Sequence, residues 1–353
     1  MNNVVKINTA RNSRDLNIDF LRVISAILVV STHTFAPFAV QNILFARVLN
    51  TFATIAVPVF FILSGYSLLF TLRRYPNITF WGLIKHEFKR LIVPYLGWSL
   101  FYYLYTLTYN HDALSLRYLI GRLIYGNMWY HTYFLLIMII QYPIMLWFWK
   151  LVQKKLTPFL FAFLLVTPII ELIAPRFISS QLINRLLWLS PLQWGIYFLI
   201  GLLWHKYDLF KKIGISTVFG SLVVALLTLI LALNIQKLGL GSFQEYALFY
   251  NRIVMTMSSM IVIYSFSDWL LNSASVFKGI TKYLAQITYT IYLLHPVVLI
   301  IFQKIGFEPF NAKALFALIV YFPAVLLSAF ALSVVLLKVK QYLGKAYTAI
   351  RAK

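Results

Sequence analysis

A chain of 353 residues that is 61% hydrophobic and only 11% charged lies far from soluble proteins, where about a quarter of residues are charged. The composition reads as an all-α, polytopic integral membrane protein and excludes an ordinary soluble enzyme. A net charge of +22 would suggest nucleic acid in a soluble protein, but here it reads as basic residues crowding the cytoplasmic loops, so no nucleic-acid partner is expected.

Residues 1–17 read as a polar cytoplasmic segment leading into a span too long, and too poor in a small-residue cleavage site, for a removable signal peptide. Apolar runs near the roughly 20 residues needed to cross about 30 Å of hydrocarbon predict about ten transmembrane helices. They fall near residues 18–39, 51–72, 91–109, 128–149, 157–174, 189–205, 213–233, 249–270, 284–303 and 314–337. The stretch "RRYPNITFWGLIKHEFKRLIVPY", residues 73–95, mixes basic, aromatic and apolar residues and predicts a further helix on the inner membrane surface. With the N-terminus inside, inner segments hold 21 Lys and Arg residues against 9 outside, which puts both termini in the cytoplasm. Residues 18–337 then form one membrane domain, followed by a basic cytoplasmic tail over 338–353, with no loop long enough to fold as a separate catalytic unit.

Chemistry first enters in "LNIDFLRVISAILVVSTH", residues 16–33, which carries Asp19, Arg22 and His33 within an apolar span. Eleven steps of about 100° bring His33 back to within roughly 20° of Arg22, so both share one helix face. Asp19, three residues before Arg22, can pair with it and lower the cost of both charges. The bland reading of that pair is a snorkelling ion pair at a helix end. His33 lies about 16 Å further along, and an ionisable group at that depth is a functional candidate by default.

Two later spans place histidines at a similar depth. "NMWYHTYF" offers Trp129, Tyr130 and His131, and "TYTIYLLHPVVL" offers Tyr289, Tyr292 and His295. An interfacial aromatic belt would account for Trp129 and Tyr130, and a carbonyl freed by Pro296 would occupy His295. There is no cysteine, no GxSxG elbow, no P-loop and no HExxH, and no helix-spaced histidine pair, so no metal site is expected. General acid–base chemistry by a histidine remains, suited by a near-neutral pKa to take a proton from a sugar hydroxyl.

The opening motif, with Arg22 and His33 ten residues apart, resembles the signature of the membrane acyltransferase-3 family. "VPVFFILSGY" (57–66), "RLIVPY" (90–95), "MWY" (128–130) and "YTIYLLHP" (289–296) are similar to its second, third, fourth and ninth helices. The resemblance covers roughly residues 15–340 and is nearest to surface-polysaccharide O-acyltransferases, intercellular-adhesin O-succinyltransferase-like proteins among them. It implies transfer of an acetyl or succinyl group from cytoplasmic acyl-CoA to a hydroxyl of a polysaccharide or lipid-linked saccharide, in a multi-pass protein of a bacterial plasma membrane. It makes His33 the base or acyl-relaying residue and Arg22 its motif partner, with Asp19 beside it. Arg73, Arg74, Lys89 and Arg90 can form a basic inner mouth for the CoA phosphates. Trp129, Tyr130, His131, Tyr292 and His295 are expected to position the acceptor. The resemblance implies no bound cofactor beyond acyl-CoA as donor substrate, and the hydrolase-like domain that some relatives carry at the C-terminus is not expected here. One departure is Glu87, where relatives often carry an arginine three residues before the match to Arg90. The competing reading is a transporter or flippase for a lipid-linked or polymeric glycan, which would use the same residues as a pathway lining. Repeat symmetry and paired broken helices, which transporters of that kind show, are not visible.

Overall fold

Hydrocarbon offers no partner for a backbone N–H or C=O, so a chain this apolar satisfies those groups inside helices. A computed structural model describes residues 15–75, 78–110, 115–152, 156–177, 189–210, 213–240, 243–307 and 314–351. The fold is 90% helical, and among the described residues there is no strand. Residues 1–14 and 352–353 of the expected cytoplasmic ends, and His111, lie outside the described residues.

Helix α1 spans Leu16–Val40, and Asp15 caps it by accepting the Asn17 amide at 2.9 Å. Helices α2 (Leu44–Ala53) and α3 (Ala56–Arg74) divide what hydropathy reads as one continuous run. The reason is Pro58, which has no N–H to bond the Thr54 carbonyl, so the helix breaks at 54–55 and restarts. The interfacial segment forms α4 (Phe80–Glu87), which widens into a π turn over Phe88–Ile92 before α5 (Val93–Asn110). Helices α6 (Leu116–Tyr125), α7 (Thr132–Val152), α8 (Leu156–Phe177) and α9 (Pro191–Tyr207) follow. Then come α10 (Ile215–Asn234), α11 (Gln244–Ser273) and α12 (Ser275–Lys304). After a second π turn over Ala317–Tyr321, ahead of Pro323, the chain ends in α13 (Phe322–Arg351).

Seven segments are long and apolar enough to cross a membrane: Leu16–Val40, Leu44–Leu72, Thr132–Trp149, Ile215–Leu238, Tyr246–Ser273, Ser275–Lys304 and Ala317–Tyr342. The remaining three expected spans coincide with α5, α8 and α9, which are helical but fall short of that measure, so about ten is not reached on length and hydropathy alone. Helix α9 is short yet buried on every side from Trp194 to His205, as expected of a helix that is apolar all round. Its partner is α3, and the two backbones interlock. A Cβ on Gly65 would strike the Phe198 carbonyl, and one on Gly201 would strike the Ile62 carbonyl. Small residues let helices approach this closely where lipid supplies no hydrophobic drive. Helix α10 is the opposite case, burying only Ala225, so its apolar surface faces outward as lipid requires.

Helix α1 sits at the centre, touching α2, α3, α11, α12 and α13. Its two ends therefore meet different neighbours.

Candidate active site

At its first turns α1 carries the charged pair. Arg22 Nη1 donates to Asp19 Oδ1 at 2.9 Å, and Arg22 Nη2 donates to Ser67 Oγ on α3 at 2.9 Å. Asp19 is 1% exposed, so the carboxylate is buried and pairing is what makes that tolerable. The i,i+3 spacing anticipated the ion pair; Ser67 was not legible, because a serine in a membrane helix ordinarily bonds its own i−4 carbonyl, as Ser67 also does to Leu63.

About three turns further on, α1 presents His33, braced by Asn50 of α2, whose amide donates to the neighbouring Thr32 carbonyl at 2.8 Å. Pro37, inside α1, leaves the His33 carbonyl without its helical N–H. The Tyr130 ring packs on the His33 ring at 4.3 Å between centroids, tilted by 35°. His295 of α12 stacks on His33 at 5.2 Å and 22°. His131 meets His295 at 5.6 Å and Tyr292 at 5.5 Å, both at steep angles. The three histidines that agree in depth in the sequence therefore come together laterally as well.

Backbone chemistry locks this cluster. Pro296 cannot donate to the Tyr292 carbonyl, and His295 Nδ1 takes its place at 2.7 Å. A carbonyl only accepts, so Nδ1 carries the proton, and in the neutral ring the lone pair is then on Nε2. The bland reading of His295 is thus correct about Nδ1, and it is what leaves Nε2 bare. The Tyr292 hydroxyl donates to the His131 carbonyl, tying α12 to the loop before α7. That loop leaves α6 through Gly126, whose φ of 61° suits glycine, and Thr132 Oγ1 holds it by donating to the Gly126 and Trp129 carbonyls.

Exposure separates floor from wall. His131 and His295 are 1% and 0% exposed, whereas Tyr130 keeps 42% of its surface open. Both His131 nitrogens and His295 Nε2 are buried without a hydrogen-bond partner among the described residues. Trp129 stacks on Tyr102 at 4.8 Å and 10°, and Tyr102 also meets His131 edge-on at 5.4 Å. Tyr102 escapes sequence reasoning because "WSLFYYLY" holds aromatics on every face and no spacing singles it out. Among the described residues, no three His, Asp or Glu side chains are grouped to hold a metal ion.

The basic residues expected at the inner mouth are more dispersed in role. Arg74 lies over the Tyr75 ring at 5.6 Å, Lys89 is exposed, and the Arg73 side chain is outside the described residues. Arg90 pairs with Glu87, Nε to Oε2 at 3.4 Å, so the unusual acid has a partner one turn away. Pro94 frees the Arg90 carbonyl, and the Tyr289 hydroxyl donates to it at 3.1 Å. Beside Arg90 lies a cavity of about 180 Å³ between α4, its π turn and α7, lined by Leu83, Glu87, Leu91, Ile139, Tyr142 and Pro143 among others.

A buried imidazole cluster inside the helical bundle thus lies about three turns along α1 from the Asp19–Arg22 ion pair. Residues 15–338 match the acyltransferase-3 family, described as an acyltransferase domain. The chain belongs to that family. No curated protein and no solved structure matches it. An acyltransferase-3 protein with several apolar membrane-crossing helices is a multi-pass membrane acyltransferase.

Proposed function

We propose that this acyltransferase moves an acetyl or succinyl group from cytoplasmic acyl-CoA to a hydroxyl of a cell-envelope polysaccharide or its lipid-linked precursor, with His33 as the base. The observation that carries the reading is the His33–Tyr130–His295 contact set in a chain of acyltransferase family. His33 is half-buried, hence reachable, and it neighbours two fully buried imidazoles. In the reaction the acceptor O–H bond breaks, its proton passes to His33, and the oxygen attacks the thioester carbonyl carbon. The C–S bond then breaks, and CoA leaves as the thiolate that recovers the proton. Such proton transfer contributes typically 10²–10⁴-fold.

The donor reaches this point along α1 from the cytoplasmic side. Lys89 and Arg90 offer charge to the CoA phosphates, with the cavity next to them sized for part of the pantetheine arm. Pro143 leaves the Ile139 carbonyl at that cavity without its helical N–H, and Glu87 and Tyr142 also line it, so acceptors are present for the arm's amide N–H groups. Trp129, Tyr130 and Tyr292 supply aromatic surface for the sugar, and Asp19 with Arg22 fixes the helix that carries His33. The protein acts in a bacterial plasma membrane in this account.

The test is mass spectrometry of base-labile acyl esters on the surface glycan of cells with wild-type protein, none, or a membrane-inserted His33→Ala variant. Loss of one ester class in both deletion and variant, at constant glycan, is the expected result and names the acyl group. Intact esters in His33→Ala together with loss of the glycan itself in the deletion would overturn it in favour of export.

A further inference from the structure

A histidine that takes a proton needs something to stabilise the imidazolium it becomes. In a catalytic triad a buried carboxylate does this. Here, among the described residues, neither ion pair involves His33: Asp19 pairs with Arg22, and Glu87 with Arg90. His33's neighbours are instead rings. Tyr130 lies at 4.3 Å, closer to His33 than any other ring among the described residues, with His295 at 5.2 Å and Tyr130 to His295 at 6.2 Å. Those separations form a triangle, so Tyr130 and His295 cover different sides of the imidazole. His295 holds its Nδ1 proton on the Tyr292 carbonyl, so that nitrogen is not turned toward His33 as an acceptor.

We propose that Tyr130 is a positioning residue that acts through His33: its aromatic face stabilises the imidazolium formed during proton transfer, taking the role that a carboxylate plays elsewhere. The ring quadrupole attracts a cation within about 6 Å, and more strongly where water is excluded. A neutral imidazole gains little from the same contact, so the interaction strengthens as charge develops and is spent on rate rather than on binding. The hydroxyl of Tyr130 is not required by this role; the π face is. Trp129, whose ring is 5.9 Å from Tyr130, and His131, at 5.7 Å, hold that face in place.

The inference rests on His33 being the base, and the experiment separates the two. Membranes carrying the glycan are supplied with whichever of labelled acetyl-CoA and succinyl-CoA the wild type transfers, and the rate of label entering the glycan is followed. Tyr130→Phe keeps the π face and should retain most of the rate, while Tyr130→Leu should lose roughly tenfold in kcat with KM for the donor and for the glycan little changed; a rise in the glycan KM at unchanged kcat would overturn the proposal by making the ring a sugar contact only. Phenylalanine analogues with one, two and three ring fluorines at position 130 keep nearly the same shape but drain the π face. A stepwise fall in kcat with fluorine count is expected. A flat series, or Tyr130→Phe as slow as Tyr130→Leu, would overturn the proposal, the latter by showing that the hydroxyl itself acts. His33→Ala at wild-type rate would instead remove the base assignment, a failure distinct from either.

Discussion

The two ends of α1 solve the same problem in opposite ways. Near its start a buried carboxylate is paired, Asp19 with Arg22, which also bonds Ser67, and on α4 the buried Glu87 likewise pairs with the exposed Arg90. Three turns on, imidazoles are packed against rings, and the nitrogens of His131 and Nε2 of His295 have no hydrogen-bond partner among the described residues. A buried polar atom left unpaired costs about 1–3 kcal/mol, so a fold tolerates several together chiefly where chemistry needs them. The ion-pair end should therefore hold the fold, and the histidine end should hold the activity. Each can be tested by asking what breaks when it is altered.

The largest effect is expected at His33. His33→Ala should lower ester formation by about 10²–10⁴-fold while thermal unfolding in detergent stays near that of wild type. A large fall in the unfolding midpoint would show instead that the ring is structural. At the other end the balance reverses. Asp19→Ala leaves Arg22 without its buried carboxylate and should cost about 3 kcal/mol, read as a lower unfolding midpoint. Adding Arg22→Met should restore part of that stability, since it removes a cation that has lost its carboxylate. If the double variant were no more stable than the single one, the Arg22 charge left without its carboxylate would not be what destabilises the single variant.

His131→Phe gives the sharpest contrast between the ends. It replaces two unpartnered nitrogens by carbon in a site already walled by Tyr102, Tyr130 and Tyr292. The fold should gain about 1 kcal/mol, and acyl transfer should fall. Gain of stability with loss of activity is the mark of strain kept for function, whereas loss of both would make His131 an ordinary core residue.

Much of this division is legible in the amino-acid order. Hydropathy locates the membrane-crossing helices because hydrocarbon permits little else, and a 100° step puts Arg22 and His33 on one face. The Asp19–Arg22 pair follows from spacing alone. What escapes is lateral pairing. Gly65 and Gly201 look like any glycines in a membrane helix until α3 and α9 are laid together. Depth could bring His33, His131 and His295 to one level, but only tertiary packing decides which ring faces which. Tyr102 and Ser67 are invisible for the same reason, being partners defined by a neighbouring helix. The break at residues 54–55 was legible in principle through Pro58, and apolarity on both sides of it concealed the signal.

The smallest effect concerns a backbone group. Pro296→Ala restores an N–H able to bond the Tyr292 carbonyl, which His295 Nδ1 now occupies. The helix would then satisfy itself, gaining up to about 1 kcal/mol, and His295 would lose its reason to keep the proton on Nδ1. Nitrogen NMR of histidine-labelled protein should show the ring passing from one tautomer to a mixture. Transfer should slow only a few-fold, because His33 and Tyr130 are untouched and His295 merely ceases to keep Nε2 reliably unprotonated. An unchanged tautomer would mean that some other group sets it, and the proline would then be a packing feature of α12. A changed tautomer with undiminished rate would place His295 outside the chemistry, leaving His33 and the ring of Tyr130 to carry it alone.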